Sequence, residues 1–93
     1  MPVFLLHRPG DAVGVATEDI AAGTPATGRM RETDEVVELT VSDDVPLGHK
    51  IAVRALAKGD KVIEYGVEIG VATADIAAGQ HVHVHNMKGQ RWA

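Results

Sequence analysis

The sequence predicts a small, mainly-β domain, a compact barrel or β-clip-like fold with short helical turns, and three observations point there. A ten-residue motif occurs twice with one difference, short strand-forming runs recur between turn signals, and the Ala pair inside each copy is too short for a helix.

The repeat is the strongest organisational signal. Gly14-Val-Ala-Thr-Glu-Asp-Ile-Ala-Ala-Gly23 returns as Gly70-Val-Ala-Thr-Ala-Asp-Ile-Ala-Ala-Gly79, and Val53–Val62 echoes it more weakly. Each unit reads as a strand, a tight or single helical turn started by Thr and Asp, and a Gly suited to positive φ that leads into the next strand. Solenoids stack several such units, so two close copies in one short chain mark pseudo-symmetric halves of one small fold.

Strand signals lie at Val36–Val41, Lys50–Arg54, Lys61–Tyr65 and His81–His85, with turns at Pro9-Gly10-Asp11, Ser42-Asp43-Asp44, Pro46-Leu47-Gly48, Lys58-Gly59-Asp60 and Lys88-Gly89. Thr24–Glu35 contains Pro25, Gly28 and mixed charges, and is expected to be a loop or flexible hairpin. The 93 residues are expected to form one domain over 1–93, burying roughly 60–65% of the unfolded chain's surface.

Composition removes several function classes. A net charge of −4, with 9 Lys plus Arg and 3% aromatic residues, offers neither the cation cluster nor the stacking platforms of a nucleic-acid binder. The absence of Cys excludes disulfides and thiolate metal sites, so a metal must use His or carboxylate. No apolar run approaches the ~20 residues of a membrane-spanning helix, and the N-terminus lacks a secretory pattern; a cytoplasmic location is expected.

Chemistry concentrates in His81-Val82-His83-Val84-His85-Asn86. On a strand, the three imidazoles would share one face while Val82 and Val84 enter the core. Neighbouring imidazoles could then bend toward one metal ion, but His81 and His85 would be about 13 Å apart on a straight strand. A mononuclear site would therefore take a neighbouring pair and need ligands from elsewhere. A plain surface strand, an acid–base face and direct ligation all satisfy this spacing. Val45-Pro46-Leu47-Gly48-His49-Lys50 adds an imidazole and an ammonium at a strand entrance, either an exposed turn or a place to meet an anion.

Val45-Pro-x-Gly48-His49-Lys50, Tyr65-Gly66, Ile69-Gly70-x-Ala72-Thr73 and the His-Val-His-Val-His-Asn run occur in that order. This ordered set resembles the amino-terminal SAF domain of altronate and galactarate dehydratases and the small subunit of sulfolactate sulfo-lyase, from Asp11 to about Trp92; Arg91-Trp92 also looks like the family's tail. The resemblance implies a β-clip-like SAF fold and a lyase acting on hydroxy acids, with a large catalytic subunit or domain as partner. It further implies a divalent metal, foremost Fe2+, in the assembled complex. Carried over by motif, His49, Lys50 and Asn86 are the catalytic candidates, and His83 and His85 the metal-ligand candidates.

Relatives often carry Lys before Tyr-Gly, where this chain has Glu64; if that Lys binds an anionic substrate, Glu64 opposes it. A stand-alone sugar- or acid-binding module and a structural assembly domain are the competing functions. Exposed strand edges would be covered by the partner or by a second copy of the chain.

Overall fold

The structure is a computed structural model and describes residues 2–89. Among the described residues there are nine short strands: β1 Phe4–Leu6, β2 Val13–Ala16, β3 Pro25–Met30, β4 Val36–Thr40, β5 Lys50–Ala52, β6 Lys61–Glu64, β7 Val67–Ala72, β8 His81–Val82 and β9 Met87–Gly89. They form a six-stranded sheet ordered β4-β3-β1-β2-β5-β8 and a three-stranded sheet ordered β6-β7-β9. The mainly-β expectation is met. Among the described residues there is no helix, and the expected helical turns are hydrogen-bonded tight turns instead. None is therefore long and apolar enough to cross a membrane.

Two apolar clusters hold the sheets together. Phe4, Leu6, Ala16, Ile20, Val41, Val45 and Ile51 build the first; Ala12, Val13, Ala52, Leu56, Val62, Ala72, Ile76 and Val82 build the second. Strand β5 serves both, because alternation sends Ile51 to one cluster and Ala52 to the other.

The repeat explains how the halves close. Ile20 bridges Val45 in one half and Leu56 bridges Ile76 in the other, each pair exchanging both backbone hydrogen bonds at 2.8–2.9 Å. The fold thus contains four equivalent turns, ending in Gly23, Gly48, Gly59 and Gly79, all at φ between 84° and 94°. The turn at Ser42–Gly48 is the copy that sequence comparison misses, because Pro46-Leu47 replaces the Ala pair. In the first half the aspartates are reciprocal: Leu47 N–H donates to Asp19 and Ala22 N–H to Asp44, both at 2.8 Å. In the second half only Asp75 remains, accepting from Lys58 at 2.9 Å, and Ala55 stands where its counterpart would be.

Of the two readings of Thr24–Glu35, the hairpin is the one the structure shows. Its first part is β3, parallel to β1 and antiparallel to β4. Pro25 opens the strand, where a missing N–H is tolerated, and Gly28 lies against the Phe4 ring, where any Cβ would collide. Residues that look like loop punctuation are there for packing.

Among the described residues, Asp11 is the buried charge. Its Oδ2 accepts N–H donors from His7 (3.3 Å), Arg8 (3.2 Å) and Tyr65 (2.9 Å), and its Oδ1 accepts from Gly66 (3.0 Å). Burial pushes the carboxyl pKa up, but the four amides outweigh it and hold the group below its ordinary 3.8. This carboxylate fastens the tip of the β6–β7 hairpin to the loop after β1.

Candidate functional site: an imidazole cluster at one end of the large sheet

His49 sits just before β5, after the turn closed by its own N–H to Pro46 C=O at 2.9 Å. Its carbonyl accepts from Ala16 N–H, also at 2.9 Å, which fixes the residue beside β2. His81 opens β8 opposite Ile51, and its N–H donates to Asp43 Oδ2 at 3.0 Å. The two imidazoles therefore meet across neighbouring strands, with His49 Nδ1 and His81 Nε2 2.9 Å apart.

His83 joins them because the strand stops early. β8 is only His81–Val82, and Asn86 closes the following turn. Asn86 Oδ1 accepts from His83 N–H at 3.0 Å while its Nδ2 donates to His81 C=O at 2.8 Å. The ring of His83 stacks on His49 with centroids 4.6 Å apart and on His81 at 5.5 Å. His85 folds back too, its ring 5.4 Å from that of His81.

The straight strand expected for His81–His85 is thus corrected to a two-residue strand and a turn. Val82 is fully buried as expected, but Val84 is 81% exposed, because the turn takes it off the strand's inward face.

His49, His81 and His83 each offer one ring nitrogen within 4.8 Å of the others. Metal–nitrogen bonds of about 2.0–2.1 Å require nitrogens roughly 3–3.5 Å apart, so small side-chain rotations would close these three on one divalent ion, with positions left for other ligands. The donor set fits a metal. His85, one of the two expected ligands, lies outside this group, and His81 enters it. Burial pushes the His81 pKa below its ordinary 6.5, the charges of His49, His85 and His83 push the same way, and Asp43 opposes them. His81 is thereby kept neutral near pH 7, with a lone pair to donate.

Adjacent in sequence, His49 and Lys50 part in space. Strand alternation turns Lys50 to the other face of β5, where its Nζ lies 4.0 Å from Glu64 Oε1 with both side chains mostly buried. The structure does not bring Lys50 into the imidazole cluster. Glu64 serves as its counter-charge, which gives that position a structural use. Asn86 is buried, and both its amide atoms are engaged with backbone, so it positions the imidazole-bearing turn. Arg91-Trp92 lies outside the described residues.

Sequence reasoning missed Asp11 beyond its turn signal and undervalued His81. The meeting of His81 with His49 depends on the pairing of β5 with β8, which no local signal announces.

The chain is 44% identical over 90 residues to the (2R)-sulfolactate sulfo-lyase subunit alpha of Chromohalobacter salexigens, covering 96% of each. It is 50% identical over 54 residues to the same-named subunit of Paracoccus pantotrophus, covering 58% of this chain and 81% of that relative. It is 47% identical over 78 residues to altronate dehydratase of Escherichia coli, covering 84% of this chain but only 14% of that longer protein. Residues 2–90 match the altronate/galactarate dehydratase SAF domain, and the chain belongs to that family.

Proposed function

We propose that this chain is the small subunit of a two-component, cytoplasmic lyase that eliminates sulfite or water from a hydroxy acid, completed by a large catalytic subunit. The observation that carries this reading is similarity over 96% of both chains to a relative named as the alpha subunit of a (2R)-sulfolactate sulfo-lyase. Sulfolactate is therefore the first substrate to test. Altronate- or galactarate-type sugar acids are the second, supported by the dehydratase similarity over 84% of this chain.

Both eliminations need the same steps. A proton leaves the carbon beside the carboxylate, its electron pair forms a C=C bond, and the neighbouring C–S or C–O bond breaks with its pair on the leaving group. A divalent metal such as Fe2+, held by His49, His81 and His83, would stabilise the negative charge developing on the carboxylate. His85, exposed beside that trio, is then the imidazole placed to move a proton. Asn86 holds the turn that carries His83 and His85.

The site is incomplete alone, because three imidazoles at an open end neither exclude water nor enclose a substrate. Leu47, 61% exposed two residues before His49, and Val84, 81% exposed between His83 and His85, give the large subunit an apolar rim on which to close.

The test is recovery of the tagged chain from its native cells, with assay of sulfite release from sulfolactate and of dehydration of sugar acids in the presence of Fe2+. A large protein and activity recovered together support the proposal. A chain recovered alone and inert sinks it in favour of a binding module. Independently, cobalt(II) titration of the purified chain, followed by visible absorption, should show one site that His49→Ala and His81→Ala each weaken tenfold or more.

A further inference from the structure

A polar pocket lies at the end of the large sheet away from the imidazole cluster. Strands β1 and β3 are parallel, so the segments after them emerge together; β5 also runs with β1, so His49 at its start stands at the opposite end. Where β1 and β3 finish, His7, Arg8, Arg31, Glu32 and Tyr65 line a cavity of about 260 Å³.

The construction of this pocket is unusual at Tyr65. Tyr65 and Gly66 have φ of 60° and 71°, the backbone of a hairpin turn that ordinarily takes Asn, Asp or Gly at its first central position. A ring there is disfavoured by its own backbone. Burial does not compensate, since Tyr65 is 55% exposed. What holds it is Asp11, which accepts the N–H groups of Tyr65 and Gly66 from within the fold.

The ring so held stacks on His7 with centroids 4.5 Å apart, and the Arg8 guanidinium carbon lies 5.2 Å from its centre. Arg8 is turned toward the pocket by Glu32, Nε to Oε2 3.6 Å. Among the described residues no carboxylate pairs with Arg31. Two arginines and one glutamate leave the pocket one net positive charge, on a planar fork suited to paired oxygens.

We propose that this pocket binds the carboxylate or sulfonate group of a small organic acid. Arg31 and Arg8 are its donors, and the Tyr65–His7 stack is the wall that orients it. A single negative charge matches the net charge of the lining, and Glu32 opposes a second. The site is separate from the imidazole cluster and does not depend on the lyase reading.

The test is amide NMR of the full 15N-labelled chain titrated with acetate and, separately, with methanesulfonate, against sodium chloride at matched ionic strength. Saturable shifts at His7, Arg8, Arg31 and Gly66 with either acid are expected. Arg31→Ala should weaken that binding at least tenfold. Tyr65→Asn, which suits the turn and should fold well, should weaken it several-fold. Shifts that never saturate, that chloride reproduces, or that survive Arg31→Ala with unchanged affinity would overturn the proposal; undiminished binding by Tyr65→Asn would overturn the role of the ring.

Discussion

Replacing Asp11 by Asn tests the electrostatic centre of the fold with almost no change in shape. An Asn carbonyl can take the place of Oδ2 and keep the donors from His7, Arg8 and Tyr65, but its NH2 then faces Gly66 N–H, donor against donor. Three charge-assisted hydrogen bonds become neutral ones, and one buried amide loses its partner. A buried unsatisfied group costs about 1–3 kcal/mol, and weakening bonds to a charge adds to this, so roughly 2–4 kcal/mol is expected. A domain of this size has about 5–14 kcal/mol in all, so the variant should remain folded and measurable. Urea denaturation at neutral pH should show the midpoint falling by roughly 1–2 M. The pH dependence gives a second reading. Because the folded pKa of Asp11 lies below its ordinary 3.8, its contribution is complete above 3.8 and is lost as the pH falls through the folded value. The gap between wild type and Asp11→Asn should therefore stay constant above pH 3.8 and shrink below it. A gap under about 0.5 kcal/mol, the scatter of surface substitutions, or one indifferent to acid, would refute the reasoning.

Ala55→Asp should restore the missing reciprocal turn contact, to Ala78 N–H, and stabilise the chain by about 0.5–1 kcal/mol in thermal unfolding; no gain would mean that the halves are less alike than their bridges indicate. Gly28→Ala forces a Cβ into the Phe4 ring and should lower stability by about 1–3 kcal/mol, measured by the same denaturation. The folded pKa of His81 lies below 6.5, so the unfolded chain takes up its proton first as the pH falls; stability should be full above 6.5 and decline below it, and His81→Asn should flatten that slope in metal-free buffer. Val84→Ser should leave thermal stability unchanged, because the side chain is 81% exposed, yet reduce recovery of the large subunit in co-purification.

Lys50 and Glu64 face each other across the two sheets, 4.0 Å apart, and tie them together. Glu64→Lys would leave two cations facing each other in a mostly buried place.

Much of this protein was legible in one dimension. Period-two apolar runs and turn residues gave the mainly-β class, because alternation and punctuation are local properties of the chain. The repeated Asp-Ile-Ala-Ala-Gly units announced the two halves, and the ordered His, Gly-His-Lys and Tyr-Gly motifs pointed to the family later shown. The tertiary structure alone decided what depends on residues distant in sequence. Pro25–Met30 became a strand because β1 and β4 accept its backbone and Phe4 fills the space over Gly28. His49 met His81 and His83 only because β5 pairs with β8 and Asn86 ends that strand after two residues. Lys50 left its sequence neighbour because successive side chains on a strand point to opposite faces. Asp11 became the centre of four hydrogen bonds because the hairpin carrying Tyr65 and Gly66 folds back over it from more than fifty residues away. Local sequence sets the elements, while the choice of partners for their edges and charges is made when the sheets close.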